Sequence, residues 1–252
     1  MRSSTVLGVA LLMLSVPVAA RAQSTSGMPA GGHIFLSVNG LGQAGDGEVI
    51  EQSQSQTIYG ETGTVSASQG IPLASGVFDF GGGYRTDRFG VGAVFTASGS
   101  TNTAVAVASI PHPFITNRPR TSTTEIDGLE HKERVLHLQA YYFMPVAEKA
   151  EIGLFVGPSF YDVTQDYVTV PSGFTESGNF ETVSVQYGRA TASDSQLGYN
   201  IGAEATYKFT PNVGAALLFR FTRASAELDL NGQAVTMNVG DAQFGGGIRF
   251  RF

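Results

Sequence analysis

Beyond residue 23, apolar and small-or-polar residues alternate with a period of two, the spacing that puts successive side chains on opposite faces of a β-strand. Leu197, Tyr199, Ile201, Ala203, Ala205, Tyr207 and Phe209 fall on one face, and Gly198, Asn200, Gly202, Glu204, Thr206 and Lys208 on the other. After a turn at Pro211-Asn212 the alternation resumes with Val213, Ala215, Leu217, Phe219 and Phe221. The last stretch sets Phe244, Gly246, Ile248, Phe250 and Phe252 against Asp241, Gln243, Gly245, Gly247, Arg249 and Arg251. The spacing predicts eight strands, over residues 33–40, 77–86, 89–99, 132–146, 151–164, 197–209, 213–228 and 235–252.

Most of these runs exceed the roughly 5–6 residues usual in soluble sheets, and about ten tilted residues cross a bilayer. The expected arrangement is therefore inverted, with apolar faces toward lipid and polar faces toward a narrow lumen. The connections alternate. Asp87-Arg88, 147–150 and Pro211-Asn212 are short, whereas 41–76, 100–131 and 165–196 are long. Short turns on one side and long loops on the other predict an all-β, antiparallel, up-and-down transmembrane barrel with both ends periplasmic. Closure satisfies every backbone group in lipid and leaves no edge. A soluble β-sandwich is the competing fold, and a further hairpin from the loops would give ten strands.

Composition fits this reading. Charged residues make up 14% of the 252, with 32 Gly, 17 Phe, 9 Tyr and no Cys. Disulfide scaffolds, thiolate metal sites and cysteine nucleophiles are excluded. A net charge of −6 argues against an electrostatic nucleic-acid binder. Residues 1–22 read as a cleaved Sec-type signal peptide: Met1-Arg2, an apolar run over 6–18, then Ala20-Arg21-Ala22. That run falls short of the roughly 20 residues a spanning helix needs. The barrel domain is then expected over 23–252.

The segments 199–221 (YNIGAEATYKFTPNVGAALLFRF), 245–252 (GGGIRFRF) and 78–89 (FDFGGGYRTDRF) resemble the small eight-stranded OmpA/OmpX-like outer-membrane barrels. The resemblance covers essentially the whole mature chain, but it is architectural. It implies a Gram-negative outer membrane as location, with outer-membrane lipids and lipopolysaccharide as surroundings. It also implies that Phe244, Ile248, Phe250 and the terminal Phe252 form the signal read by the barrel-assembly machinery. With nothing after Phe252, OmpA's peptidoglycan-binding role is not expected here.

An eight-stranded barrel is just wide enough inside to be filled by side chains. Alternation sends Asp79, Arg85, His137, Gln139, Glu151, Asn200, Glu204, Lys208, Arg220, Asp241, Gln243, Arg249 and Arg251 inward. A cross-linked polar plug is the first expectation. A narrow pore, gated by rearranging pairs such as Glu204 with Arg220, is the second. A lipid-modifying enzyme is the third, and needs a Ser or similar nucleophile, a His and an acid within reach. His131, beside Glu130 and Glu133, with Ser159 on the next strand, is its best candidate; His33, His137 and a loop residue, His112, are the other histidines. No His and Ser stand two apart on one strand, so no catalytic residue is assigned. The glycine runs 81–83 and 245–247 lack the following helix of a phosphate loop, and no acidic spacing indicates a metal. No cofactor is expected.

Residues 57–67 and 180–191 are rich in β-branched and aromatic residues, which predicts that hairpins continue beyond the membrane as a protruding sheet. Its edges are suited to an extracellular ligand, and Arg134 and Arg223 to lipopolysaccharide phosphates. The expected role is structural or surface interaction.

Overall fold

The computed structural model describes residues 32–44, 47–71, 76–169, 171 and 173–252. The expected signal peptide lies outside the described residues. Among the described residues thirteen strands follow in order: β1 (His33–Ala44), β2 (Glu48–Ile58), β3 (Glu61–Ile71), β4 (Gly76–Thr86), β5 (Phe89–Ile110), β6 (Arg120–Pro145) and β7 (Ala150–Val168), then β8 (Phe174–Glu176), β9 (Val183–Val185), β10 (Arg189–Lys208), β11 (Val213–Leu230), β12 (Gln233–Val239) and β13 (Ala242–Arg251).

Eight of them close a ring of antiparallel neighbours: β1, β4, β5, β6, β7, β10, β11 and β13. The ring shuts where β1 meets β13, from Phe35 opposite Arg251 to Ala44 opposite Ala242. These are the eight predicted strands. Three turns tighten one end, with Val146 N–H donating to Ala150 C=O at 2.9 Å and Phe209 N–H to Val213 C=O at 3.0 Å in two of them.

At the other end the strands run further than predicted. β5 continues to Ile110, β6 begins at Arg120, and β10 begins at Arg189. The β2–β3 hairpin stacks on the β5 extension, from Thr64 opposite Ser109 to Gln69 opposite Ala104. β12 pairs with the top of β11. The loops 41–76 and 100–131 are therefore largely strand, and the extra hairpin stands above the ring rather than widening it to ten. In 165–196, Phe180 is a turn residue (φ 58°) between the short β8 and β9. The predicted last strand breaks at Gly240, whose φ of +85° ends β12.

Polarity reverses partway up each long strand. On β7, Ile152, Leu154, Val156 and Phe160 face outward, but Asp162 follows on that face and Tyr161 and Val163 are buried inside. On β6 the outward row passes from Leu138 and Leu136 to Arg134 and Lys132. On β11 it passes from Phe219 and Phe221 to Arg223, while Ala224, Ala226, Leu228 and Leu230 turn inward. The switches line up in register: Leu136, Phe160 and Leu197 are neighbours, and so are Arg134, Asp162 and Ser195. Below that line the outside is lipid, so apolar groups face out. Above it the outside is water, so they face in. From Ile152 to Phe160 the strand runs about 27 Å, so with a tilt of about 35–45° the apolar band is roughly 20 Å tall. Tyr142, Tyr207 and Phe89 ring its lower rim.

The expectation of a polar lumen throughout is corrected accordingly. It holds best in the lower half; the upper interior is mainly apolar, including Ile50, Ile71, Val163, Leu228, Leu230 and Met237, around a few buried polar groups such as His131 and Gln165. We call the part above the band the crown.

Candidate functional site

Polar chemistry concentrates in the lower lumen and at the apex of the crown, with a smaller buried cluster of Gln69, Asn102, His131, Glu133 and Gln165 between them. Asp79, Arg85, His137, Gln139, Glu151, Asn200, Glu204, Lys208, Arg220, Gln243, Arg249 and Arg251 lie on the lumen side, buried or partly buried. Nearest the periplasm, Glu151 receives Arg85 (2.7 Å), Lys208 (3.0 Å) and Arg251 (3.0 Å). Beside it Glu204 receives Arg249 at 2.6 Å. An aromatic layer of Phe35, Tyr141, Phe143 and Phe155 lies above, and the Arg85 guanidinium sits 4.0 Å from the Phe143 ring centroid.

Higher still, Arg220 reaches across to Asp79 at 3.1 Å and donates to Gln243 Oε1 (2.6 and 2.9 Å) and Thr96 Oγ1 (3.1 Å). Gln139 donates to Asn200 (2.9 Å) and receives the Tyr141 hydroxyl. Asn200 Nδ2 donates to Ser159 Oγ at 2.9 Å, and that oxygen lies 2.7 Å from His137 Nδ1.

Three expectations change. Glu204 pairs with Arg249, two strands away on β13, and not with Arg220, which Asp79 takes up. Asp241 stands outside the network. It sits at the upper end of β13, where its carboxylate accepts the Ala242 N–H at 2.8 Å. His131 does not meet Ser159; it lies between Gln165 (2.8 Å) and Glu133 (3.1 Å) in the crown core. Ser159 instead meets His137, and both are 0% exposed.

At the apex three hairpins are tied together. Arg120 pairs with Glu176 and donates to Pro111 C=O (2.7 Å) and Phe180 C=O (3.0 Å). Tyr59 donates to Glu176 at 3.1 Å, Asn117 N–H to Glu61 at 3.1 Å, and Arg118 pairs with Glu181 at 2.8 Å. The tie holds up a proline-bracketed loop on which Phe114 is 76% and Ile115 43% exposed. Sequence reasoning missed this apex, because its partners lie far apart in the chain. The one local signal was Pro111-His112-Pro113.

Of the residues expected to form the assembly signal, Phe244, Ile248 and Phe252 are exposed on the lipid side, and Phe250 is half-buried. Arg134 and Arg223 lie exposed just above the apolar band.

A closed ring with an apolar belt outside and a polar lower lumen defines an outer-membrane β-barrel. The chain belongs to the outer membrane protein beta-barrel domain family, whose model matches residues 7–252, and the Gram-negative outer membrane is its place. No curated protein is a detectable relative. Among solved structures it is similar to Neisserial surface protein A (13% identity, TM-score 0.41, covering 87% of this chain and 97% of that one). It is also similar to OprG from Pseudomonas aeruginosa (8%, 0.44, 88% and 96%). A third is the outer membrane protease OmpT from Escherichia coli (12%, 0.39, 91% and 99%).

Proposed function

We propose that the protein is a sealed, non-catalytic barrel whose work is done at the cell surface by the crown. The observation that carries this is the apex: Phe114 and Ile115 project into water from a loop held by Arg120, Arg118 and Asn117. Exposed apolar anchors on a pre-ordered loop suit contact with a second surface, since little ordering entropy is lost on binding. The filled interior supports a plug over a pore. The burial of His137 and Ser159 leaves an acyl substrate no approach. Arg134 and Arg223, exposed just above the apolar band, support contact with lipopolysaccharide phosphates, and the exposed Phe244, Ile248 and Phe252 support reading by the assembly machinery.

The test displays the wild type and a Phe114→Ser/Ile115→Ser variant on cells and measures attachment to other cells and to coated surfaces. Attachment by the wild type that the variant loses is expected. Equal attachment by both sinks the apex as the contact. Stepwise conductance of purified wild type in a planar bilayer overturns the sealed barrel.

A further inference from the structure

Across the whole lumen the sequence nearly balances cations against acids, yet the structure separates them. Asp79 is taken up by Arg220 deep in the barrel, and Asp241 lies at the far end of β13 from Arg251. The periplasmic mouth is left with four cations, Arg85, Lys208, Arg249 and Arg251, and two carboxylates, Glu151 and Glu204. The nearby turns add no net charge, since Asp87 sits beside Arg88 and Glu148 beside Lys149. Phe252 is exposed on the lipid side and does not line the mouth.

The mouth holds a cavity of about 40 Å³, open at one end and lined by the two carboxylates, all four cations and Thr206. Three of the cations share one carboxylate, Glu151, which is 6% exposed. Lys208 and Arg251 are each about a quarter exposed on the cavity wall. Both keep N–H donors beyond the one given to Glu151, since an ammonium has three and a guanidinium five. Phe35 and Phe143 close part of the wall with hydrocarbon, which strengthens the field of the excess charge.

We propose that this mouth binds a doubly charged oxyanion, a phosphate group entering from the periplasm, held by Lys208 and Arg251 with Arg85 and Arg249 behind them. Two excess charges match a dianion, and guanidinium forks suit its paired oxygens. The site is separate from the crown and independent of its role.

The phosphate has two possible sources, a soluble ion or ester and a lipid headgroup. The full barrel in zwitterionic nanodiscs is titrated with inorganic phosphate by calorimetry, with chloride as control. A parallel arm measures the thermal midpoint in nanodiscs with and without phosphatidic acid. Saturable heat with phosphate identifies a soluble source; a lipid-dependent shift alone identifies a headgroup. Lys208→Gln/Arg251→Gln is expected to weaken the response about tenfold or more. Glu151→Gln, which adds net positive charge, is expected to strengthen it. That opposite sign separates anion binding from a general loss of folding. No response to either phosphate source, or equal responses from all three proteins, overturns the proposal.

Discussion

The carboxylate of Asp79 and the guanidinium of Arg220 meet at 3.1 Å with each side chain 1% exposed. They come from β4 and β11, which are not neighbours in the ring, so the pair staples the barrel across its width. Removing one partner of such a pair strands a buried charge at a cost of about 3–5 kcal/mol. Asp79→Asn and Arg220→Met are each expected to lower the urea midpoint of the refolded barrel strongly. The double variant Asp79→Leu/Arg220→Met is expected to lose less than the two single losses combined. Strict additivity in that cycle rules out the staple.

Gly157 lies beside β6 where a side chain has no room. A Cβ there would stand 1.8 Å from the Leu138 carbonyl oxygen, next to Pro158, and the β6–β7 pairing is interrupted between His137 and Ala140. Gly157→Ala is expected to cost about 2 kcal/mol or more. Gly40→Ala, whose Cβ would meet nothing within 4 Å, is expected to be near neutral. Heat-modified mobility on gels, followed against temperature, compares the two directly.

In the crown, β2 and β12 face each other without a backbone ladder among the described residues. Glu48 bridges them, accepting Asn238 N–H at 3.1 Å and Asn238 Nδ2 at 3.1 Å. Glu48→Ala uncovers a strand edge. Limited proteolysis is expected to cut the Asn231-Gly232 turn several-fold faster, by about the factor a lost hydrogen bond of roughly 1 kcal/mol allows. The heat resistance of the membrane ring is expected to stay unchanged.

Phe252 is 67% exposed and contributes little to packing. Phe252→Ala is therefore expected to refold in detergent like the wild type while accumulating less in the outer membrane of cells. Equal accumulation in fractionated membranes would falsify its part in the assembly signal.

The membrane ring was legible because lipid enforces one rule over a whole strand: Leu217, Phe219 and Phe221 must share a face. The crown was harder to read because that rule reverses. Ala224, Ala226 and Leu228 still alternate, but one position out of step with Phe221, and nothing local marks the change. The inward set was readable from β-strand parity, whereas the pairings within it were not. Glu204 lies diagonally across the β10–β11 ladder from Arg220, yet takes Arg249 instead. The bulge that keeps Arg120 pointing inward was equally hidden. Asp127 and Gly128 (φ +73°) face the single Thr103, and a lone glycine was its whole signal.

The reversal of polarity at Leu136, Phe160 and Phe221 also acts as a draught mark. A barrel sunk by one pair of residues would drag Arg134, Asp162 and Arg223 into the edge of the hydrocarbon, where each charge costs up to about 1 kcal/mol, rising toward about 2–4 kcal/mol as it sinks to the midplane. One raised by the same step would lift a ring of Leu and Phe into water. Both errors are penalised all round the circumference, so the molecule floats at one height. The reach of Phe114 above the cell is thus set by the fifteen residues of β6 between Arg120 and Arg134, not by any tether or partner.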